Sequence, residues 1–263
     1  MTKLAKYFWI LRTTVRSKWA YPLDLLASTS FLAVILFVFV HLWRISYQDH
    51  PQIEGFSFAM IIWYYVGTES IIMALPFIHR IYEREIKEGD VAVQLNKPYQ
   101  YLIFHGATYL AEALSRVVFL LLVGCSIAYF MAGPISFNWY SLPALALVYV
   151  VTVLLHFLYN SMIGLSAFWT EDVTGLFFIF DRAKWLLGGF LLPVSFFPEP
   201  LKSIAESLPF RWMINEPAML FVNFSSERLV RVLSHQVALF VILAILAQGI
   251  YQLGVRRLNV NGG

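Results

Sequence analysis

Long apolar stretches separated by short polar segments are the main feature of the chain. Six stretches are long enough to cross a hydrocarbon core of roughly 30 Å, which takes about 20 residues of α-helix. They lack the alternation of apolar and polar residues that is typical of membrane barrel strands, so we predict helices. The predicted spans cover residues 23–43, 57–77, 113–133, 140–166, 173–196 and 232–253.

The composition indicates lipid as the solvent of this chain. Hydrophobic residues make up 59% of it and charged residues 13%, whereas about a quarter of the residues of a soluble domain are charged. The single cysteine, Cys125, lies inside an apolar stretch and cannot form an intramolecular disulfide. We therefore predict an all-α polytopic membrane protein with one transmembrane domain over residues 1–263.

Basic residues are concentrated before span one and after span six. The first group has no acidic neighbour and consists of Lys3, Lys6, Arg12, Arg16 and Lys18, and the second group is Arg256 and Arg257. Because lysine and arginine mark cytoplasmic loops, both termini are predicted on the cytoplasmic side. The segment between spans five and six is an exception to the rule, since it carries Lys202, Arg211, Arg228 and Arg231.

Apolar residues recur every three or four positions before span one. They are Leu4, Phe8, Leu11, Val15 and Trp19, and they alternate with the basic residues of that segment. The pattern is typical of a helix that lies in the membrane interface, here over residues 1–20. A basic flank that only orients span one is the alternative.

The segment between spans two and three is charged, unlike the chain on either side. Its sequence REIKEGDVAVQLNKP favours two short helices. The first continues span two and ends near Gly89, and the second covers residues 91–96 with Asp90 as its N-cap.

The surface of this segment has balanced charges. Residues 80–97 contain four basic and four acidic side chains, which gives no net attraction for anionic lipid. We expect four large side chains to be exposed among these charges: Tyr82, Ile86, Val91 and Leu95. Such a surface suits a protein partner, and the alternative is a solvated loop with helix ion pairs such as Glu83 with Lys87.

Five polar residues within the predicted spans need an explanation, because a charge in hydrocarbon costs about 3 kcal/mol. They are Glu69 in span two, His156 and Asn160 in span four, and Asp181 and Arg182 in span five. One interpretation is that they line a translocation path. The other is pairing between helices and with Lys184, with Arg182 extending toward the interface.

Prolines interrupt the apolar chain between spans five and six. Pro193, Pro198 and Pro209 follow two glycines within residues 188–222. Broken backbone is tolerated at membrane depth only where protein or a water-filled cavity covers it, which favours a re-entrant gate. A loop outside the membrane, packed on the spans, is the alternative.

The sequence contains no nucleotide-binding or hydrolase motif. The phosphate loop G-x-x-x-x-G-K-[ST], the zinc motif H-E-x-x-H and the nucleophile motif G-x-S-x-G are all absent. We therefore expect no catalytic residue, metal or cofactor in this chain, and any ATPase must be a separate polypeptide. Because the basic residues flank spans, we expect no nucleic-acid partner.

Three segments resemble, in order, the ABC-2 type transporter permeases, specifically the six-span subfamily with the type V exporter fold. They are EIKEGDVAVQLNKP, GGFLLPVSFFPEPLKSIAESLPFRWMINEP and GVRRLNVNGG. Lys87 with Glu88 departs from the family pattern, which more often has arginine and a small residue. The resemblance implies an interfacial N-terminal helix, six spans, a coupling segment over residues 78–98 and re-entrant helices over residues 188–222.

The resemblance also implies a function, namely the permease subunit of an ATP-driven exporter in the bacterial inner membrane. Its substrate would be amphipathic, lipid-like or drug-like. Two ATPase subunits would bind ATP and Mg²⁺, and a second permease, identical or related, would complete the path among the membrane lipids. The residues assigned to ATPase coupling are Tyr82, Glu83, Glu85, Ile86, Gly89, Asp90, Val91, Leu95 and Pro98.

Two other functions are compatible with these residues. One is a secondary transporter driven by protons or sodium, with Glu69 and Asp181 as carriers. The other is a membrane anchor that transports nothing.

Overall fold

The structure is a computed structural model that describes the backbone of residues 3–19, 22–170 and 172–261 and the side chains of residues 5–17, 27–170 and 172–257. The helices are α1 (Lys3–Trp19), α2 (Pro22–Ser46), α3 (Phe58–Ala74), α4 (Ile78–Lys87), α5 (Asp90–Leu95), α6 (Tyr101–Ala132), α7 (Leu142–Leu165), α8 (Thr174–Leu187), α9 (Glu199–Ser207), α10 (Asn215–Val222) and α11 (Ser226–Asn261). No β-strand occurs in these ranges, so the all-α prediction is confirmed for them.

Within the described chain, five helical stretches are long and apolar enough to cross a membrane. They are Ala27–Ser46, Phe58–Lys87, Tyr101–Ala132, Trp139–Phe168 and Ser226–Arg257. These stretches correspond to predicted spans one, two, three, four and six. α6 and α11 extend beyond the predicted spans, with 32 and 36 residues.

The helix at the predicted fifth span is shorter than expected. α8 has 14 residues, which gives about 21 Å of helix, less than the thickness of a hydrocarbon core. It ends before Gly188 and Gly189, and Gly189 has φ +84°, a conformation that favours glycine. The glycine pair therefore ends the helix before the end of the span predicted at residues 173–196, and the six-span topology stays a prediction.

α4 and α5 lie at one end of the long helices. We call that end of the molecule the α4 end and the opposite end the far end. Gly164, at the end of α7, lies against His79 and Tyr82 of α4. Tyr251 of α11 stacks on Tyr101 at the start of α6, with ring centroids 5.5 Å apart. α7 and α11 thus both finish at the α4 end, so α8 and the residues after it return the chain toward the far end.

α3 does not continue into α4, contrary to the prediction of one unbroken helix. Leu75 has extended backbone, with ψ 124°, and three residues separate the two helices. Pro76 explains the break, because proline has no N–H to donate and disfavours helical geometry in the residue before it. The α4–α5 segment is therefore joined to α3 through a non-helical link.

The segment after α8 packs into the molecule. The carbonyl of Met213 lies 3.1 Å from Nε2 of His156, past the midpoint of α7 counted from its far end. At the other end of α10, Val222 lines a shallow cavity with Ser57 and Pro134. α10 thus runs from the depth of the helix bundle to the far end, and it packs against α3 and α7.

Candidate functional site

α4 has one buried face and one exposed face. Ile78, His79, Tyr82 and Glu85 are buried. They occur at intervals of one, three and three residues, which places them on one side of a helix. The opposite side is exposed at Arg80, Arg84, Lys87 and Glu88. The helix is thus fixed to the membrane domain while a row of charges faces outward.

Glu85 connects α4 to the start of α6. The hydroxyl of Tyr101 donates a hydrogen bond of 2.6 Å to Oε2 of Glu85. Nε2 of His105 lies 3.3 Å from the same oxygen, close enough for an ion pair when the imidazole is protonated. These three side chains are buried. A displacement of α4 is therefore resisted by α6, because separating them would leave buried polar groups without partners.

The joint between α4 and α5 is Gly89, with φ +78°. A Cβ added there would meet no atom within 4 Å, so the conformation and not the space favours glycine. Gly89, and not Asp90 as predicted, is the N-cap of α5, so the helix begins at Asp90, one residue earlier than predicted. The two short helices predicted around this glycine are present.

Two large side chains of this segment are buried although we expected them to be exposed. Tyr82 and Val91 both have 0% exposure. Tyr82 packs against Gly164 of α7, and the absence of a side chain on that glycine gives the tyrosine ring its space. Leu95 is exposed at 38% and Ile86 is partly buried. The expectation was wrong for Tyr82 and Val91 because the pattern of one helix does not reveal a close contact with a distant one.

The remaining coupling residues lie on or beside the exposed surface. Glu83 forms an ion pair of 2.6 Å with Lys87, and Asp90 and Pro98 are exposed. We call the exposed residues 84, 87–90, 92, 93 and 95–98 the α4–α5 surface. It carries charges of both signs, with Arg84, Lys87 and Lys97 opposite in sign to Glu88 and Asp90.

α1 supports the end of this segment. The ammonium of Lys6 donates a hydrogen bond to the carbonyl of Pro98, and the backbone N–H of Gln100 donates one of 3.1 Å to the hydroxyl of Tyr7. In α1 Phe8 is exposed at 63%, while Leu11 and Val15 are partly buried. The helix predicted before span one is present over Lys3–Trp19, and its contact with residues 98–100 was not foreseeable from local sequence.

The start of α8 lies near the α4 end. The backbone N–H of Thr174 donates a hydrogen bond of 2.7 Å to Oδ1 of Asp172, and this bond lowers the pKa of Asp172 because it stabilises the carboxylate. The ring of Phe177 stacks on His79, with centroids 3.5 Å apart. α8 is therefore held to α4 at its first turn.

Asp181 and Asn160, two of the predicted path residues, meet at Lys184. The ammonium of Lys184 lies 2.8 Å from Oδ1 of Asp181 and donates a hydrogen bond of 3.5 Å to Oδ1 of Asn160. Lys184 has 0% exposure, and its ammonium also lies 5.1 Å from the ring centroid of Tyr159. The predicted pairing of Asp181 with Lys184 is present within α8, and the hydrogen bond from Lys184 to Asn160 joins α8 to α7.

The other predicted path residues lie apart from this pair. His156 is buried and contacts the carbonyl of Met213. Glu69 is 4% exposed, and its carboxylate has no hydrogen bond or ion pair with a described residue. Arg182 is exposed on the surface of α8. In this conformation only Arg182 among the five faces outward, and the other four are enclosed in protein.

The predicted gate residues mark turns in the segment after α8. Pro193 precedes the 3₁₀ turn Val194–Phe196, Pro198 is the N-cap of α9, and Pro209 begins the 3₁₀ turn Pro209–Trp212. Each proline thus begins a short helical piece, where its missing N–H costs nothing.

Asn215 holds this segment in place, and no local pattern in the sequence predicted that role. Its Oδ1 accepts hydrogen bonds from the backbone N–H of Val194 at 3.0 Å and from the hydroxyl of Tyr64 at 3.1 Å. The same hydroxyl also lies within hydrogen-bond distance of the carbonyl of Gly189, so its single proton is shared between the two oxygens. Asn215 therefore ties the turn after α8 to α3 and to the start of α10.

Within the described ranges, no three His, Cys, Asp or Glu side chains come close enough together to hold a metal ion.

These features lie in a part of the chain that matches a known protein family. The family described as "ABC-2 family transporter protein" matches residues 32–262, which include the α4–α5 surface, the Asp181–Lys184 pair and the segment after α8. Comparisons with curated proteins and with solved structures gave no significant match. The match extends over most of the chain, and the apolar helices indicate a multi-pass membrane protein. The chain therefore belongs to the ABC-2 transporter family, as a permease of the ABC-2 type.

Proposed function

We propose that this chain is the permease subunit of an ATP-driven exporter, and that a separate ATPase docks on the α4–α5 surface. The observation that carries the proposal is the two-sided construction of α4. One side is buried through Tyr82 and Glu85, and the other presents charges of both signs. A solvated loop would need no such anchor, whereas a surface that transmits force needs both a partner side and a fixed side.

The proposed mechanism follows from the way α4 is connected to α3, α6 and α7. Pro76 separates α4 from α3, so α4 is free to move relative to that helix. Glu85 holds α4 to Tyr101 and His105, so movement of the docked ATPase is passed to α6. Contacts with Gly164 pass it to α7. ATP binding would then favour one of two arrangements of the spans, and substrate is exported when its affinity differs between them.

A second permease, identical or related, would complete the path, and two ATPases would bind ATP and Mg²⁺. α8 would cross the membrane together with the segment over residues 188–222, as the fifth span followed by a re-entrant gate. The depth reached by Met213 beside His156 supports that assignment. Both ends of the described chain lie at the α4 end, which agrees with cytoplasmic termini in the inner membrane.

The docking proposal predicts that Gly89→Val strongly reduces recovery of the ATPase with the tagged chain. Valine at φ +78° is strained by about 1–2 kcal/mol, so the joint between α4 and α5 would change direction. We expect recovery to fall severalfold, and Asp90→Lys to reduce it as well, because it reverses a charge on the docking surface. Recovery is measured by quantitative mass spectrometry of the co-purified chain that carries a Walker A peptide.

Gly133→Val is the matched control. Gly133 also has a left-handed φ, +87°, and no atom within 4 Å of an added Cβ, but it lies at the far end. Equal recovery of the ATPase with the Gly89 and Gly133 variants would contradict docking at the α4–α5 surface.

A further inference from the structure

The exposed face of α8 combines one cation with large apolar side chains. Phe178, Ile179 and Leu186 are exposed at 61%, 64% and 52%, and Arg182 is exposed between them. We infer that this face binds an amphipathic substrate with an anionic head group, and that Arg182 holds that head group. The inference rests on the proposed function, because it names the substrate class of the proposed path.

The position of the Arg182 guanidinium indicates that this side chain does not extend to the membrane interface at the α4 end. Side chains of a helix lean toward its N-terminus, which in α8 is the α4 end. An arginine that reached back to that interface would lie toward Thr174. The guanidinium instead lies 3.8 Å from the ring centroid of Trp185, one turn further from the α4 end, and 5.4 Å from that of Phe178. The charge is thus held at depth, about 12 Å along the helix from Thr174 by helical rise.

The guanidinium also has no anionic partner of its own. Asp181, the nearest acidic residue along α8, is engaged by Lys184 at 2.8 Å. Among the described residues, none accepts a hydrogen bond from the Arg182 guanidinium and none forms an ion pair with it. Together Asp181, Arg182 and Lys184 carry a formal charge of +1. A cation held at this depth is costly without a counter-charge, and a ligand anion would supply one.

The side chains on the exposed face of α8 indicate the class of ligand that it would bind. A planar guanidinium binds phosphate, sulfate or carboxylate through paired N–H donors. The aromatic rings on both sides of Arg182 fix its orientation and leave its hydrogen-bond donors available. The apolar residues beside it would pack against an alkyl or aryl tail. A single-chain amphiphile with a phosphate head group fits this face, and we assign it to the substrate and not to bulk phospholipid.

The test measures binding of radiolabelled monododecyl phosphate to the full-length chain in nanodiscs of phosphatidylcholine. We expect Arg182→Gln to weaken binding at least about tenfold, because charge-assisted hydrogen bonds are lost. Arg182→Lys keeps the charge but not the paired donors, so we expect a smaller loss. Arg231→Gln is the control, since Arg231 is an exposed arginine on α11 that pairs with Glu227 at 2.6 Å, and it should bind as wild type does.

The outcomes separate this inference from the proposed function. The assay contains no ATPase, so failure of the docking proposal would leave its result unchanged. Displacement of the probe by unlabelled monododecyl phosphate but not by dodecyl maltoside supports the inference. Equal binding by Arg182→Gln and wild type overturns it. Displacement of the probe by phosphatidylglycerol in the nanodisc would assign the face to bulk lipid and overturn the inference. Loss of a dimer in Arg182→Gln would assign the face to a second copy of the chain and would also overturn it.

Discussion

Replacing Lys184 with alanine is expected to lower the free energy of unfolding by about 3–5 kcal/mol. Lys184 has 0% exposure and Asp181 5%, and their charged atoms are 2.8 Å apart. Removal of the ammonium leaves the Asp181 carboxylate buried without its partner, and Asn160 loses its donor. The purified chain in mixed micelles is unfolded with increasing SDS, and unfolding is followed by circular dichroism.

Two further variants show whether the effect comes from the uncompensated charge. Asp181→Leu combined with Lys184→Met removes both charges, so we expect it to recover most of the lost stability. Arg231→Ala breaks an exposed pair on α11, in which the side chains are 59% and 84% exposed, and should cost about 0–1 kcal/mol. A double variant as unstable as Lys184→Ala would contradict a buried ion pair and indicate a packing defect.

Replacing Gly164 with valine is expected to uncouple ATP hydrolysis from the permease. A Cβ at Gly164 would lie 2.8 Å from the Cα atom of His79 and 2.9 Å from Cδ2 of Tyr82. Both atoms are in the buried face of α4, so valine would push α4 away from α7. We expect a loss of about 1–3 kcal/mol in stability and loss of the permease-dependent change in ATPase rate. The rate is measured with the co-purified complex in nanodiscs.

Gly249→Val is the matched control for this substitution. Gly249 is also in a long helix, α11, but an added Cβ would meet no atom within 4 Å. We expect its ATPase rate and stability to stay close to wild type. If the Gly164 variant keeps a wild-type ATPase rate, the contact between α4 and α7 does not transmit movement.

The parts of the fold predicted from the sequence are those with a local signal. Apolar length marks the spans, and a glycine followed by a charged residue marks the joint at Gly89. The i,i+3 spacing of Asp181 and Lys184 anticipates their pairing. Pro76 also indicated a break in the helix, but the charged residues after it led us to expect that the helix continues. The structure has the break that proline geometry favours.

The parts that the sequence did not reveal depend on contacts between distant residues. Asn215 accepts a hydrogen bond from Tyr64, 151 residues away along the chain. Tyr101, at the start of α6, donates a hydrogen bond to Glu85 of α4, 16 residues earlier in the chain. Neither pairing can be predicted from the periodicity of apolar residues in one helix. That periodicity shows which side of the helix is buried and not which distant residue this side contacts. The burial of Tyr82 depended in the same way on a glycine in α7.

Site-specific photo-cross-linking tests the docking claim most directly. A photoreactive p-benzoylphenylalanine replaces Leu95, which is 38% exposed on the α4–α5 surface, or Tyr140, which is 95% exposed at the far end. Irradiation of native membranes is predicted to join the chain to a Walker A-containing ATPase from position 95 and not from position 140. Capture of that ATPase from position 140, with none from position 95, would contradict docking at the α4–α5 surface.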